Sequence, residues 1–504
     1  MPSRTSIALA NLAAAVLSSA GCAVARRRAA APAAAQRALL ISVDGMHGID
    51  LALHVKDHPD STLASLAGRG VTYTNARQPL LGDSSPGLLS IATGGSPYST
   101  GIVYSPTYDR TLSPRGSDCK TRGTVLYIDE KSVRDFSRED SGGGIDPDTL
   151  PRDPDRGCTP VYPHQLQRVN NIFEVVKQAG GRTAWIDQHL MYSDMLRGPS
   201  GMGLDDDFVL EANKFRKTLA AATGQDSRRV DALLNQIRGY DSSGKHRVGV
   251  PKLFGLGLIA VGVMQKLEGY EDGRATARPG LAKSIEFVDQ QLARIVGELE
   301  AQGLYDSTLI ILTSKHGQSP IEVKQRRVID RNLIREVVNS VQPGLLAQGS
   351  LDTIGILWLK DQGKTGAVVA ALGAKRQEAG IYKIFAGEEL KLLLDPNDPR
   401  TPDIIVQPMP GTFYADGIET PATQALLAEH GGMLDEDTLV PLVVSLPGGG
   451  GRVVRSPVYT SQIAPTVLAA LGLDPAALQA VRKEYTAPLP GLFAGTTAFS
   501  PTSP

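Results

Sequence analysis

The chain has 504 residues, and its 52 Lys and Arg against 53 Asp and Glu give a formal net charge of −1. That balance leaves no global basic field, which argues against a nucleic-acid-binding surface. A content of 41% apolar and 21% charged residues excludes a wholly disordered chain and a multi-span membrane protein.

The first 25 residues have the layout of a cleavable export signal: Arg4, an apolar stretch from Ile7 to Leu17, then small residues up to Ala25. Cys22 follows Ala20-Gly21 as in a lipoprotein cleavage site, so a lipid anchor at Cys22 stands beside plain secretion as the membrane connection. Arg26-Arg27-Arg28 sits just beyond the apolar run and leaves an uncleaved anchor as a further alternative. Residues 26–37 read as an Ala/Pro linker, 38–490 as one catalytic domain with a turn-rich insertion at about 103–165, and 491–504 as a flexible tail. The expected location is periplasmic or extracellular. In that setting Cys119 and Cys158 are expected to form a disulfide that staples the insertion; in a cytosolic chain they would be free thiols.

From residue 38 the chain alternates strands and helices. Ala38 to Val43 is an apolar run that reads as a buried strand ending at Asp44-Gly45. Thr62 to Arg69 is helical, Val71 to Tyr73 a strand, and Pro86 to Thr93 a helix with Pro86 in its first turn. Asn171 to Ala179 is helical, and Thr183 to Ile186 forms a strand ending at Asp187. Leu281 to Ala301 is a long amphipathic helix. Thr308 to Thr313 is a buried strand that runs into Ser314-Lys315-His316-Gly317. A strand from Val440 to Ser445 and a helix from Ile463 to Leu471 close the pattern. This order predicts an α/β fold with a mostly parallel central sheet and helices on both faces.

Asp44, Asp187 and His316 each lie at the end of an expected strand, and in open α/β sheets ligands bind outside the strands' carboxyl ends. Ser84, in Asp83-Ser84-Ser85-Pro86, precedes a helix. It reads either as an N-cap or as a nucleophile held near exposed backbone N–H groups that suit a phosphate. His430-Gly431-Gly432 reads as a loop after an expected helix. An acid, a hydroxyl and two imidazoles are a set suited to zinc-type ligation of a metal-activated hydroxyl.

At these residues the chain resembles the alkaline-phosphatase-like superfamily, and within it the type I phosphodiesterase/nucleotide pyrophosphatase family. The stretches that carry the likeness are Leu40 to Gly45, Ser84-Ser85-Pro86, Thr93 to Ile102, Lys315-His316-Gly317, His430-Gly431-Gly432 and Gln462 to Leu468. The resemblance implies a hydrolase of small phosphate esters that uses a Thr or Ser nucleophile and one or two divalent ions, usually zinc. Carried over, Asp44 and His316 would hold the first ion, Ser84 would be ligand and nucleophile, and His430 would hold the second ion. Ser105 falls where the family's phosphate-contacting Asn is common.

Two further departures stand out. Lys315 replaces the Asp of the family's Asp-His-Gly. No His occurs between Leu253 and Leu281, where the family supplies an Asp and a His four residues apart, and only Asp272 lies there. One reading supplies substitute ligands from His47, Asp187 and His189. A second gives one ion's task to Lys315. A third makes the protein a catalytically degenerate member that binds a ligand; a phosphomonoesterase is the other enzymatic alternative.

Overall fold

A computed structural model of the chain describes residues 35–128, 132–211, 218–321, 326–415 and 426–493, which fall within one compact unit, Pro32–Pro504. Residues 1–34, which hold the expected export signal with Cys22 and most of the expected linker, and residues 494–504 lie outside the described residues. Among the described residues no helix is long and apolar enough to cross a membrane.

The central sheet has eight strands: β1 (Arg37–Val43), β2 (Gly70–Tyr73), β3 (Ala184–Asp187), β4 (Asp206–Val209), β5 (Leu253–Leu258), β6 (Thr308–Thr313), β11 (Leu442–Ser445) and β12 (Arg452–Val454). Their spatial order is β12-β2-β11-β6-β1-β5-β3-β4. All pairings are parallel except those of β11, which runs antiparallel to β6 and β2. The mostly parallel sheet is therefore as expected. The strand expected over Val440–Ser445 is broken at Pro441, which has no N–H to give a ladder. Leu439–Val440 pairs instead with Ala76–Arg77, and the sheet strand starts at Leu442.

Side-chain alternation builds two cores from one strand. Ala38 and Leu40 of β1 pack with Leu88, Ile91 and Ala92 of α3 (Ser84–Thr93), with α4 (Ile172–Gln178) and with the helix Ile463–Ala470. Leu39, Ile41 and Val43 point the other way, onto α1 (Gly48–Asp57), α2 (Thr62–Arg69), α6 (Leu219–Ile237), α7 (Ala260–Leu267) and α8 (Pro279–Ala301). Ile285, Val288, Leu292, Ile295 and Leu299 of α8 are buried on that face, while Val296 is only half-buried.

Between β6 and β11 the chain builds a smaller antiparallel sheet from β7 (Leu346–Leu351), β8 (Gly355–Leu359), β9 (Ile381–Ala386) and β10 (Ile404–Pro408). One face, with Leu357 and Leu359, is covered by α9 (Arg331–Val341) and α10 (Thr365–Ala374). The other, with Ile356 and Trp358, packs on Leu81, Val103 and Tyr104 beside the start of α3. The segment expected as an insertion packs Leu126, Ile128, Leu150 and Val161 on Leu89 of α3 and on Met191 and Met195 of α5 (Leu190–Leu196). A Cys119–Cys158 disulfide closes it, with 5.8 Å between the Cα atoms.

Candidate active site

β1, β3, β5 and β6 run parallel, so their carboxyl ends share one edge of the sheet. Asp44 follows β1, Asp187 ends β3 and His316 lies three residues beyond β6. The turn after β1 places Gly45 at φ +72°, and a Cβ there would strike the Gln265 amide oxygen and lie 3.1 Å from Gly262 Cα. Gly262 in turn leaves room for the Asp44 carboxylate, since a Cβ would stand 3.1 Å from Oδ1.

α3 begins two residues earlier than Pro86, so Ser84 is its first helical residue and Asp83 the N-cap. Ser84 Oγ lies 3.0 Å from His316 Nε2. The other ring nitrogen of His316, Nδ1, faces Gly317 O at 2.8 Å. That contact assigns the ring proton to Nδ1 and leaves the Nε2 lone pair to accept the Ser84 O–H. The His316 ring stacks on His430, with centroids 3.8 Å apart and planes at 20°. Asp44, Ser84, His316 and His430, chosen from four distant stretches of sequence, thus meet in one place.

Lys315 joins them. Its Nζ donates to Asp44 Oδ2 at 2.8 Å, and Gln188 Nε2 donates to the same oxygen at 3.0 Å. Asp44 Oδ1 stands 3.5 Å from His316 Nε2. Burial alone would raise the Asp44 carboxyl, but the Lys315 ammonium, with His316 and His430, holds it well below the usual carboxylate range. Burial first, and then the neighbouring His430, push His316 well below an ordinary imidazole. Burial and the Lys266 ammonium bring His430 down to about 3. Both rings are therefore neutral at pH 7. Burial pushes Asp83 up to about 7 against the backbone N–H groups of Ser84 and Ser105.

The other candidates sit elsewhere or do other work. His47 is buried between Tyr270 Oη at 3.0 Å and Glu436 O at 3.1 Å, and Gln318 N donates to its Nε2. It anchors α1 to the loop after β6. His189 pairs with Glu211 Oε2 at 2.8 Å. Asp187 takes the Trp185 indole N–H at 2.6 Å and the Gln188 backbone N–H at 2.6 Å. It is near enough for Lys315 to act on it, but burial raises its pKa. These bonds leave none of the three in a ligand position. The Ser105 hydroxyl accepts the Ile128 N–H at 3.1 Å, so its backbone N–H, rather than its side chain, faces the site at Asp83.

Four participants were not among the candidates: Gln188, Asp83, Glu429 and Lys266. Lys266 pairs with Glu429, whose Oε1 lies 3.8 Å from His430 Nε2. Gln188 and Asp83 could have been found from their positions directly after Asp187 and before Ser84. Nothing local in the sequence links Lys266 to Glu429.

The donor set tests the implied zinc ions. Asp44 Oδ1, Ser84 Oγ and His316 Nε2 face one another, but Asp44 Oδ2 is filled by an ammonium and an amide. Lys315 brings a cation where the family brings a carboxylate. The segment between β5 and α8, where the likeness places an Asp and a His, opens with the buried apolar Ile259, Val261 and Val263. On the side of the second ion, His430 has only Asp83 Oδ1 at 3.9 Å and the already paired Glu429. Among the described residues no three His, Cys, Asp or Glu are arranged to hold an ion. These residues do not supply the donor set of a two-ion centre.

Comparison with known proteins agrees with the fold. Murine ectonucleotide pyrophosphatase/phosphodiesterase 5 superposes with a TM-score of 0.59 at 15% identity, covering 87% of this chain and 95% of its own. The human counterpart gives 0.56 at 15% identity, with the same coverage of both chains. A multiply substituted variant of the alkaline phosphatase PafA gives 0.58 at 11% identity, covering 87% of this chain and 96% of its own. No curated protein matches the sequence. The family model for type I phosphodiesterase/nucleotide pyrophosphatase matches residues 38–433, which contain every residue of the site described above. The chain therefore belongs to the type I phosphodiesterase/nucleotide pyrophosphatase family, a family of divalent-metal-dependent hydrolases.

Proposed function

We propose that the protein hydrolyses a phosphodiester or pyrophosphate bond in a small anionic ester, with Ser84 as nucleophile. The observation that carries this reading is the 3.0 Å contact between Ser84 Oγ and the unprotonated Nε2 of His316. Ser84 Oγ attacks phosphorus as its proton passes to His316 Nε2, the bond to the leaving oxygen breaks, and a phosphoserine ester forms. Water then cleaves that ester and restores the hydroxyl. The positive end of the α3 dipole favours the charge that develops on the phosphoryl oxygens. A cavity of about 480 Å³ beside Ser105, bordered by Tyr104, Arg331 and Arg335, offers a polar place for the rest of the substrate. A nucleotide suits this chemistry, and an inactive variant of the murine structural relative has been solved in complex with AMP.

We also place the protein outside the cytosol, on the export-like first 25 residues and the Cys119–Cys158 disulfide. Whether Cys22 carries lipid is a separate measurement, by mass of the mature N-terminus.

Hydrolysis of bis(p-nitrophenyl) phosphate and of dinucleoside polyphosphates is the direct test. Ser84→Ala should lower kcat by at least about a thousandfold, as loss of a nucleophile does; full activity in that variant refutes the assignment. A second reading, ligand binding without turnover, is favoured by the Lys315–Asp44 pair and by Ser84 being only 6% exposed. Absence of turnover on diesters, monoesters and pyrophosphates, together with retained AMP binding, would select it.

A further inference from the structure

The misfit between this site and a metal centre has a specific form. Lys315 Nζ is not a surface charge that leans in: its side chain is 8% exposed, and its ion-pair partner is the Asp44 carboxylate, 2.8 Å away. An ammonium taken out of water at this depth must be paired, and removal of its partner is costly. Gln188 donates to the same Asp44 oxygen and fixes that carboxylate against the lysine. A divalent ion bound to Asp44 would stand within a few ångströms of Nζ, where like charges repel strongly in a poorly solvated site.

The charge balance of the exchange is exact to the unit. A ligating carboxylate and a divalent ion together carry +1. A lysine in place of that carboxylate, with no ion, also carries +1. Asp44 therefore keeps a cationic partner at the place of that one ion.

We infer that Lys315 takes the place of both a carboxylate ligand and the divalent ion it would hold, so that this centre receives a phosphate-type anion on an ammonium and without a divalent metal. The anion class rests on the function proposed above; the exclusion of metal at Asp44 does not.

The test uses the full-length protein, purified without chelator from zinc-supplemented cells, with zinc read by plasma mass spectrometry and inorganic phosphate binding read by calorimetry. The wild type should hold no stoichiometric zinc, and its phosphate affinity should be the same with and without EDTA. Lys315→Asp adds a fourth donor to Asp44, Ser84 and His316 and should hold about one equivalent of zinc, as a tetrahedral site does. Lys315→Met should hold none and bind phosphate at least about tenfold more weakly, the scale of one lost charge-assisted bond. Stoichiometric zinc in the wild type, or phosphate binding abolished by EDTA, overturns the inference, as does unchanged affinity in Lys315→Met. If Lys315→Asp fails to fold, the wild-type zinc content and the Lys315→Met affinity still decide. Absence of turnover with all these results as expected defeats the hydrolase reading alone.

Discussion

Gly87→Ala probes the contact on which the site depends. Gly87 lies one turn after Ser84 in α3, and its missing side chain faces the backbone of Lys315. A Cβ there would press into the Lys315 carbonyl oxygen, stand 2.8 Å from the carbonyl carbon and 2.8 Å from Gln78 Nε2. Ordinary carbon contacts lie at about 3.5–4 Å, so the helix and the loop must part by roughly an ångström. Overpacking costs about 1–3 kcal/mol, and the upper end applies here because the obstacle is backbone rather than a flexible side chain. The same displacement separates Ser84 from His316, and a misplacement of about 1 Å can cost a hundredfold in rate. Urea unfolding followed by tryptophan fluorescence reads the stability, since Trp185 and Trp358 are both fully buried, one in each sheet. The expected result is a midpoint shift worth about 3 kcal/mol and a further loss of turnover in the fraction that remains folded. A variant that melts with the wild type and keeps its rate would show that α3 is not held to the His316 loop as described.

Other outcomes follow from single features. Gly297→Ala lies within α8 with nothing near the new Cβ, so it should stabilise the fold by about 0.5–1 kcal/mol, measured by the same urea curves. Cys119→Ser opens a loop spanning 39 residues. Chain entropy sets the loss at up to about 4 kcal/mol; a variant as protease-resistant as wild type between residues 103 and 165 would contradict it. Asp437 is raised from 3.8 to about 7 by burial, against its bonds to Ser319 and Leu434. A carboxyl whose folded pKa is raised contributes stability at low pH that is lost as pH rises through the folded value. Asp437→Asn should therefore flatten the pH dependence of stability between about 4 and 7 by about 1.4 kcal/mol per unit. An unchanged slope refutes the buried-acid assignment.

What the sequence made legible was set by pattern length. β1 and β6 carry the apolar runs Ala38–Ile41 and Leu309–Leu312, and α8 repeats its buried residues at helical spacing over 23 positions, so each was readable alone. β5 was not, because Leu253–Leu258 contains two glycines and looks like a loop. The structure gives the reason for one of them: a Cβ at Gly255 would strike Leu40 O and lie 2.6 Å from the Trp185 ring. The smaller sheet was also missed; β7 is mostly half-buried, so its apolar alternation is blurred. Asp44, Ser84 and His316 were legible because strand ends and helix starts are where such groups collect; His430, a loop residue, was legible through the family resemblance. His47 and His189 looked equivalent to them in sequence. Their partners, Tyr270 with Glu436 and Glu211, come from distant segments and turn them into structural residues.

The scarcity of histidine and the presence of Lys315 are two sides of one balance. A two-ion centre brings a large positive charge, which keeps many carboxylates ionised around it. Here the cations near the site are single ammonium groups, Lys315 on Asp44 and Lys266 on Glu429. Each neutralises one carboxylate. The acids left without such a partner behave accordingly: burial pushes Asp187 up, and Asp83 and Asp352 up to about 7, despite the reach of the same lysines. Asp44 alone among these is held well down, and it is the one in direct contact with Lys315. A missing ligand and a lysine seated on Asp44 are therefore separate obstacles to an ion. Restoring the Asp and His after β5 alone would add charge and donors around a seat still blocked by an ammonium, whereas Lys315→Asp frees the seat itself. Metal binding should consequently appear with the Lys315 substitution and not with Ile259→Asp combined with Val263→His. Zinc content of those two variants separates a blocked centre from one that merely lacks ligands.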